Sequence, residues 1–343
     1  MPRQALTVGL EGGTPVREIV PTIAPAQLLI GGCDPLLGAG SSVFGTPEGL
    51  QDSRMASLDQ ITAKFAARPW AQVAESDMAP GLAVPSMLHI EESQLYHWLG
   101  RHVQGDGATV DLGAYAGGSA ARLLSGLALS GRGYHLHAYD HFRSSRKVWA
   151  KFLPNEPLPD HDDADILPLV QRYLAPWRAH VTLHPGDIEA MPWGGDPIEI
   201  LAVDAAKGSA IADYVAATFF PALVPGRSVV VHQDYLMPIQ PWLPAQMVML
   251  ADHFLPLTKV ARDCVAFLCI KQVTAEALLK AETDVLSDGE LIRRVRRAAE
   301  WHEAMIPFQR FRAMIQRVKD FPGLRLAWQF REAERARNAA TDG

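Results

Sequence analysis

The stretch TVDLGAYAGGS, at residues 109–119, decides the fold of this chain. Its first residues are β-branched or apolar apart from Asp111, which is typical of a short buried strand. The glycines that follow predict a tight turn, and residues 120–129 have the composition of a helix that starts from this turn. Because backbone N–H groups at a strand-to-helix turn can approach a ligand closely, the turn is a candidate binding loop.

The alternation of strand and helix continues along the chain. Further strands that are nearly continuous in apolar residues, with helical segments between them, are predicted at 134–139, 180–184, 198–203 and 228–232. Such repetition indicates a parallel sheet covered by helices on both faces.

Two last strands, 257–261 and 264–271, are separated only by Arg262 and Asp263. A gap this short cannot hold a crossover helix, so the pair must be antiparallel. The sequence therefore predicts an α/β fold, a Rossmann-like open parallel sheet with a terminal antiparallel hairpin.

We divide the chain into three regions. Residues 1–85 are rich in Gly, Pro and Ser, and we expect an N-terminal extension that is irregular or partly helical. Residues 86–272 contain the predicted sheet, and residues 273–343 form a helical C-terminal extension.

Composition excludes several classes of protein. The 343 residues are 48% hydrophobic and 20% charged, which excludes intrinsic disorder. A net charge of −6 gives no general attraction to nucleic acid or anionic membrane. With three cysteines, no CxxC pair, no apparent leader and no apolar run long enough to cross a bilayer, we expect a cytoplasmic protein.

Acidic residues stand at the carboxyl ends of the predicted parallel strands, where ligands bind in open sheets. They are Asp111, Asp140, Asp187, Asp204 and Asp234. Any one of them alone is best explained as a helix cap, but five in register favour a binding edge. An acid in the position of Asp140 suits the two hydroxyls of a ribose.

The spacing of the glycines in the turn at 113–119 argues against two common classes of nucleotide site. The turn lacks the Gly-Lys-Ser/Thr of a Walker A loop and the complete GxGxxG spacing of a dinucleotide site. Together with Asp140, Gly186-Asp187 and the terminal hairpin, the turn resembles that of class I S-adenosylmethionine-dependent methyltransferases. Ile90-Glu91-Glu92 and Gly117-Gly118-Ser119 are similar to the macrocin O-methyltransferase-like group, and the resemblance covers about residues 86–272.

The resemblance implies how S-adenosylmethionine would be held. The turn would bind the methionine part, Asp140 the ribose, and Asp187 with Ile188 the adenine. The implied cofactor-binding residues are Asp111, Gly113, Ala114, Tyr115, Gly117, Gly118, Ser119, Asp140, Asp187, Ile188 and Asp204.

Residues near the fourth and fifth strands resemble the catalytic set of catechol and caffeoyl-CoA O-methyltransferases. That set implies a divalent metal such as Mg²⁺ held by Asp204, Gln233 and Asp234, with Lys207 as general base. The sequence departs from the set at Gln233, whose neutral amide can coordinate an ion but adds no charge. His232 is a further candidate base because imidazole titrates near neutrality, and Asp234 is counted among the catalytic residues.

The hypothesis is methyl transfer from S-adenosylmethionine to a small-molecule acceptor, at a hydroxyl. The alternatives are a nucleotide-dependent oxidoreductase and a non-catalytic protein that binds the cofactor. The C-terminal helices are basic and interleaved with aromatic residues, which favours docking onto the domain or a second copy of the chain over nucleic-acid binding. We expect no membrane partner.

Overall fold

The computed structural model describes residues 58–341. The strands in this part of the chain are β1 (Ala108–Leu112), β2 (Leu136–Asp140), β3 (Arg143–Ser144), β4 (Ala164–Asp165), β5 (Val181–Pro185), β6 (Ile198–Val203), β7 (Val229–His232), β8 (Phe254–Lys259) and β9 (Val265–Cys269). The helices are α1 (58–66), α2 (Ala79–Leu82), α3 (Ile90–Arg101), α4 (Gly118–Leu127), α5 (Arg146–Phe152), α6 (Leu167–Tyr173), α7 (Ser209–Phe219), α8 (Trp242–Met247), α9 (Ala275–Ala281), α10 (Asp288–Trp301), α11 (Phe308–Asp320) and α12 (Ala327–Thr341).

The main sheet has seven strands in the order β5-β2-β1-β6-β7-β9-β8. The first five in this order run parallel, whereas β9 is antiparallel to β7 and β8 is antiparallel to β9. The predicted α/β fold, an open parallel sheet finished by an antiparallel hairpin, is confirmed. Strands β2 and β5 lie on one side of β1 in the sheet. The chain then crosses back, and β6 and the later strands lie on the other side of β1. A ligand crevice is expected at the carboxyl ends of β1 and β6, where this reversal occurs.

Hydrophobic layers cover both faces of the sheet. One core cluster contains residues of α7, α8, α10 and α11, and the other contains residues of α3, α4 and α6. Strand β9 divides cleanly between them, with Val265, Phe267 and Cys269 on one face and Ala266 and Leu268 on the other. This alternation follows the period of two of a strand, and it explains why the buried strands read as continuous apolar runs.

The hairpin shows the largest shift from the predicted bounds. Strand β8 starts three residues before the predicted 257, because Phe254 is buried and pairs with Cys269. Predicted strand 264–271 is shorter in the structure, because the chain leaves the sheet after Cys269.

The two-residue strands β3 and β4 were not predicted. They pair antiparallel with each other and join the two ends of the long connection after β2. Strands of two residues carry no readable periodicity, which is why the sequence did not reveal them.

The C-terminal helices pack on the sheet domain. Phe311 and Phe330 are buried in one of the core clusters, whereas Phe308 and Trp328 are exposed. The backbone N–H of Ala327, the first residue of α12, donates to the carbonyl of Lys207 at 2.9 Å. The C-terminal region therefore reaches the edge of the sheet that carries the predicted site.

Some predictions concern the whole chain. Most of the predicted N-terminal extension, residues 1–57, lies outside the described residues. No helix within 58–341 is both long enough and apolar enough to span a membrane. The division into three regions and the pairing of two copies through the C-terminal helices stay predictions.

Candidate active site

A cleft opens at the carboxyl ends of β1, β2, β6 and β7. It consists of a cavity of about 540 Å³ and an adjoining space of about 40 Å³ beside the turn after β1. Gly113, Tyr115, Asp204 and Gln233 line both parts, so the two parts are continuous. The larger volume falls within the range of roughly 300–1,000 Å³ that is usual for small-molecule sites.

Most of the predicted site residues line this cleft. They are Asp111, Gly113, Ala114, Tyr115, Gly118, Ser119, Asp140, Asp187, Ile188, Asp204, Lys207, Gln233 and Asp234. Gly117 and His232 are not among the lining residues. Gly117 instead adopts a left-handed conformation, with φ of 82°, as the N-cap of α4 and so shapes the turn.

Gly113 is required where the turn after β1 meets the loop after β6. Its φ of 94° is left-handed, and a Cβ at this position would lie only 2.9 Å from the carbonyl carbon of Asp204. Its N–H donates to the carbonyl of Tyr139 on β2 at 2.8 Å. Because a side chain is excluded here, bare backbone forms this part of the cleft wall.

Asp111 lies at the bottom of the smaller part of the cleft. Its side chain is buried and accepts a hydrogen bond of 2.6 Å from the hydroxyl of Ser119. Burial raises the pKa of Asp111 to about 7, although the Ser119 hydrogen bond acts in the opposite direction. A carboxyl with this pKa is close to half ionised at neutral pH, and a neighbouring cation would favour its ionised form.

Asp140 stands at the end of β2 and is held by backbone donors. One carboxylate oxygen accepts from the N–H of Tyr115 at 2.9 Å and the other from the N–H of Phe142 at 2.7 Å. Burial raises the pKa of Asp140 above its ordinary value, while these two hydrogen bonds lower it. The two backbone bonds fix the side chain in place. Because each oxygen can accept a further hydrogen bond, the carboxylate is still able to bind a ligand hydroxyl.

The loop after β5 forms the next part of the wall. Gly186 donates its N–H to the carbonyl of Asp140 at 3.0 Å, which joins the loop to the end of β2. Asp187 is exposed and caps a single helical turn by accepting from the N–H of Glu189 at 3.0 Å, and Ile188 is buried beside it. Polar and apolar surface therefore lie side by side, as a flat heterocyclic base requires.

Lys207 lies between two carboxylates at the other end of the cleft. Its Nζ donates to Asp204 Oδ1 and to Asp234 Oδ2, and the latter oxygen also accepts from Gln240 Nε2 at 2.6 Å. Burial alone would lower the pKa of the Lys207 ammonium, but the two carboxylates outweigh burial and raise it. Lys207 is therefore a cation at neutral pH, and the prediction that it acts as the base is not supported.

The donors at this end do not fit the divalent metal that the sequence led us to expect. Asp204 and Asp234 are both engaged by the Lys207 ammonium, and Gln233 Oε1 accepts from the hydroxyl of Tyr96 at 2.8 Å. Within residues 58–341, no three His, Cys, Asp or Glu side chains are grouped so that they could hold a metal ion. An ammonium already supplies the positive charge between the carboxylates, so we derive no chemistry from a metal.

His232 faces the core instead of the cleft. Its imidazole is buried next to the rings of Phe220, Tyr235 and Phe267, with ring centroids 6.1–6.4 Å away. Neither ring nitrogen has a hydrogen-bond partner among the described residues, and burial lowers the pKa of His232 to about 3. The prediction that His232 is a base is therefore not supported, because the ring cannot reach a ligand in the cleft.

Several lining residues were not predicted as functional. Glu92 in α3, Arg262 in the hairpin turn and Arg331 in α12 come from segments far apart in the sequence. Glu92 is buried, accepts from the N–H of His89 at 2.7 Å, and has a pKa that burial raises to about 7. Only Glu92 had a sequence signal, as part of the Ile90-Glu91-Glu92 resemblance; nothing local marks the two arginines.

Comparison with known proteins gives matches only among solved structures. No protein-family model matches the sequence, and no curated protein matches it. The O-methyltransferase NovP is similar in structure with 17% identity and a TM-score of 0.43, over 54% of this chain and 82% of NovP. The SAH-bound methyltransferase PaMTH1 of Podospora anserina has 11% identity and a TM-score of 0.36, over 68% of this chain and 100% of PaMTH1.

Human N-acetylserotonin methyltransferase, in complex with SAM, also matches. The identity is 16% and the TM-score 0.31, over 53% of this chain and 56% of the human chain.

Proposed function

We propose that this chain is an S-adenosylmethionine-dependent methyltransferase that methylates a hydroxyl of a small-molecule acceptor. The observation that carries the proposal is the order of groups along one continuous cleft. Asp187, Asp140 and Asp111 belong to or follow β5, β2 and β1, which are neighbours in the sheet, and the two residues of the Lys207–Asp234 ion pair follow the next strands, β6 and β7. The three aspartates suit a cofactor that has a cationic amino acid end, a ribose and an adenine. The ion pair suits an acceptor hydroxyl that must lose its proton.

The cofactor would lie across the β1 turn. Asp111 would face the amino group of the methionine part, Asp140 the ribose hydroxyls, and Asp187 with Ile188 the adenine. The bare backbone at Gly113 leaves room for a ligand to lie against the wall. When bound, S-adenosylmethionine supplies an electrophilic methyl group on a positively charged sulfur.

The chain's own residues would handle the proton. Asp234 Oδ2 is occupied by Lys207 and Gln240, whereas no hydrogen bond within the described residues reaches Asp234 Oδ1. An acceptor hydroxyl can donate to this free oxygen, which takes the proton as the new oxygen–methyl bond forms and the sulfur–methyl bond breaks. The products are the methylated acceptor and S-adenosylhomocysteine, so atoms and charge balance.

Lys207 would assist as a fixed cation. A lysine ammonium has three N–H donors, and two of them are used by Asp204 and Asp234. The third is available to the acceptor oxygen, where it would stabilise negative charge that develops as the proton leaves.

The first test is direct binding. Calorimetry on the purified chain should show one molecule of S-adenosylhomocysteine bound and no binding of NAD or NADP. Transfer of a labelled methyl group from S-adenosylmethionine to a panel of hydroxyl compounds then tests the chemistry. Binding of NAD or NADP alone would favour the oxidoreductase. Cofactor binding without transfer across the panel would favour the non-catalytic alternative.

Cofactor binding should release protons through Asp111. Its pKa of about 7 in the free chain lies above the ordinary value, and a cationic amino group beside it would lower that pKa on binding. Affinity for S-adenosylhomocysteine should therefore rise with pH and level off above about pH 8, falling at most tenfold for each pH unit below about 7. Calorimetry at pH 7 in two buffers of different ionisation enthalpy measures the released protons.

Asp111→Asn is the matched variant for this measurement. It keeps the shape of the side chain but cannot titrate, so proton release at pH 7 should largely disappear. Proton release of unchanged size in Asp111→Asn would show that another group is responsible and would remove Asp111 from the binding site.

A further inference from the structure

Two arginines line the large cavity together with the Lys207–Asp234 pair. We infer that the acceptor carries an anionic group, a carboxylate or a phosphate monoester, held by Arg262 and Arg331; this inference rests on the proposed methyl transfer. The anionic group would be bound at one end of the acceptor, and the hydroxyl to be methylated would lie at the Lys207–Asp234 end.

The side chains of the two arginines make no direct polar contact with the described residues. Neither the Arg262 nor the Arg331 side chain donates a hydrogen bond or forms an ion pair within residues 58–341, although the charge of Arg262 acts on the carboxyl of Glu92, which lines the same cavity. Four other arginines of the C-terminal region are paired with carboxylates: Arg310 with Asp263, Arg317 with Glu334, Arg325 with Asp288, and Arg337 with Asp320.

Asp263 is the carboxylate that could most easily pair with Arg262, because it is the next residue in the chain and also lines the cavity. Its carboxylate is taken by Arg310 from α11. The side-chain N–H donors of Arg262 and Arg331 are therefore left for a ligand.

The positions of both arginines are tied to the catalytic pair. In the hairpin turn, the carbonyl of Asp263 accepts the N–H of Leu236 at 2.9 Å, which fixes the turn to the loop that begins with Asp234. In α12, Arg331 follows Ala327 by one helical turn, and Ala327 is bonded to the carbonyl of Lys207. An anion held by both arginines would consequently stand at a defined distance from the reacting hydroxyl.

Arg262 also adopts a backbone conformation that favours glycine. Its φ of 52° is left-handed, and the turn is closed by the N–H of Val260 donating to Cys264 at 2.9 Å. A long side chain at such a position is uncommon and is a frequent feature of functional sites.

Guanidinium groups suit this ligand chemistry. Their planar fork of N–H donors matches the paired oxygens of a carboxylate or phosphate, and it remains charged at all physiological pH values. Apolar side chains complete the cavity, namely Met87, Leu88, Ile211 and Met237. The acceptor inferred from this lining has an apolar body, a hydroxyl at one end and an anion at the other.

The experiment compares matched pairs of probes on the chain loaded with S-adenosylhomocysteine. The anionic members are 4-hydroxybenzoate, 3,4-dihydroxybenzoate, 3-hydroxybutyrate and glycerol 3-phosphate. The neutral partner of each carboxylate is its amide, and the neutral partner of glycerol 3-phosphate is glycerol. Calorimetry should show at least one anionic member binding about tenfold more tightly than its neutral partner, as a charge-assisted hydrogen bond predicts. The pair that shows the preference distinguishes a carboxylate from a phosphate.

Variants assign the preference to the two side chains. Arg262→Gln/Arg331→Gln should reduce the preference to below about threefold, since the charge-assisted bonds are lost. Arg312→Gln, an exposed arginine on α11 away from the cleft, should keep it. The affinity for S-adenosylhomocysteine should be equal in all three chains.

The outcomes separate this inference from the function on which it rests. If S-adenosylhomocysteine does not bind, both the methyltransferase proposal and the inference of an anionic acceptor are overturned. If it binds but no anionic probe is preferred, or the preference survives in the double variant, only the anionic acceptor is overturned.

Discussion

Lys207→Met is expected to slow methyl transfer about 1,000-fold, the size of effect seen when a charged or polar group that stabilises a transition state is removed. The substitution keeps an unbranched side chain of similar length but deletes the N–H donor that would face the acceptor oxygen. It also leaves Asp204 and Asp234 facing each other without the cation between them. Without the ammonium from which both carboxylates accept, the position of Asp234 beside the acceptor hydroxyl is no longer fixed. Single-turnover transfer of a labelled methyl group at saturating S-adenosylmethionine measures the loss.

Two controls isolate the role of the ammonium. Lys147→Met removes an exposed lysine of α5 away from the cleft and should leave transfer unchanged. Affinity for S-adenosylhomocysteine should stay within about threefold in Lys207→Met, because that ligand lacks the reacting methyl group and makes its main contacts elsewhere. Transfer by the unaltered chain should also survive exhaustive chelation. Retention of more than about a tenth of the rate in Lys207→Met, or loss of the rate on chelation with recovery on adding Mg²⁺, would contradict the assigned role.

The edge of the sheet that carries the cleft was predictable from the sequence. Parallel strands bring their carboxyl ends to one edge whatever helices connect them, so acids that follow successive strands must lie near one another. Asp111, Asp140, Asp187, Asp204 and Asp234 all line the cleft for this reason. The hairpin was equally readable, since a connection of two residues leaves only one way for the chain to return.

The roles of single side chains at this edge were less predictable. His232 ends a strand just as the acids do, but side chains on a strand alternate between faces, and this one points among aromatic rings. The charge state of Lys207 depends on Asp234, 27 residues later, whose distance from Lys207 the sequence does not specify. The periodicity of a sequence indicates which face of a helix or strand a residue lies on. It does not indicate which charged side chain lies opposite that residue across the cleft.

The arginines illustrate the same limit over longer range. Arg262 was read only as part of a short connection, and Arg331 belongs to a region outside the family resemblance. Both reach the cavity because backbone hydrogen bonds dock the hairpin turn and α12 onto the loops after β7 and β6. No local pattern encodes such docking, so the acceptor end of the cleft became visible only in three dimensions.

Asp140→Ala is expected to weaken binding of S-adenosylhomocysteine by about 100-fold or more. Each hydrogen bond from a ribose hydroxyl to a carboxylate is worth about 1.5–3 kcal/mol, and two such bonds at the lower figure correspond to about two factors of ten. The carboxylate also accepts the N–H groups of Tyr115 and Phe142, which hold the turn after β1 in place. Calorimetry over a range of ligand concentrations measures the change, and thermal unfolding with and without ligand provides an independent reading of affinity.

The control for Asp140→Ala has to separate ribose binding from the general loss of an acid. Asp160→Ala removes an exposed carboxylate in the connection after β2, away from the cleft, and should bind S-adenosylhomocysteine normally. Asp140→Asn adds a finer test, because its amide keeps one acceptor oxygen but presents an N–H₂ donor where the carboxylate accepts a backbone N–H. Its affinity should fall between those of the unaltered chain and Asp140→Ala. If Asp140→Ala binds as tightly as Asp160→Ala, the sugar is not held at the end of β2, and the orientation of the cofactor across the cleft would have to be reversed or abandoned.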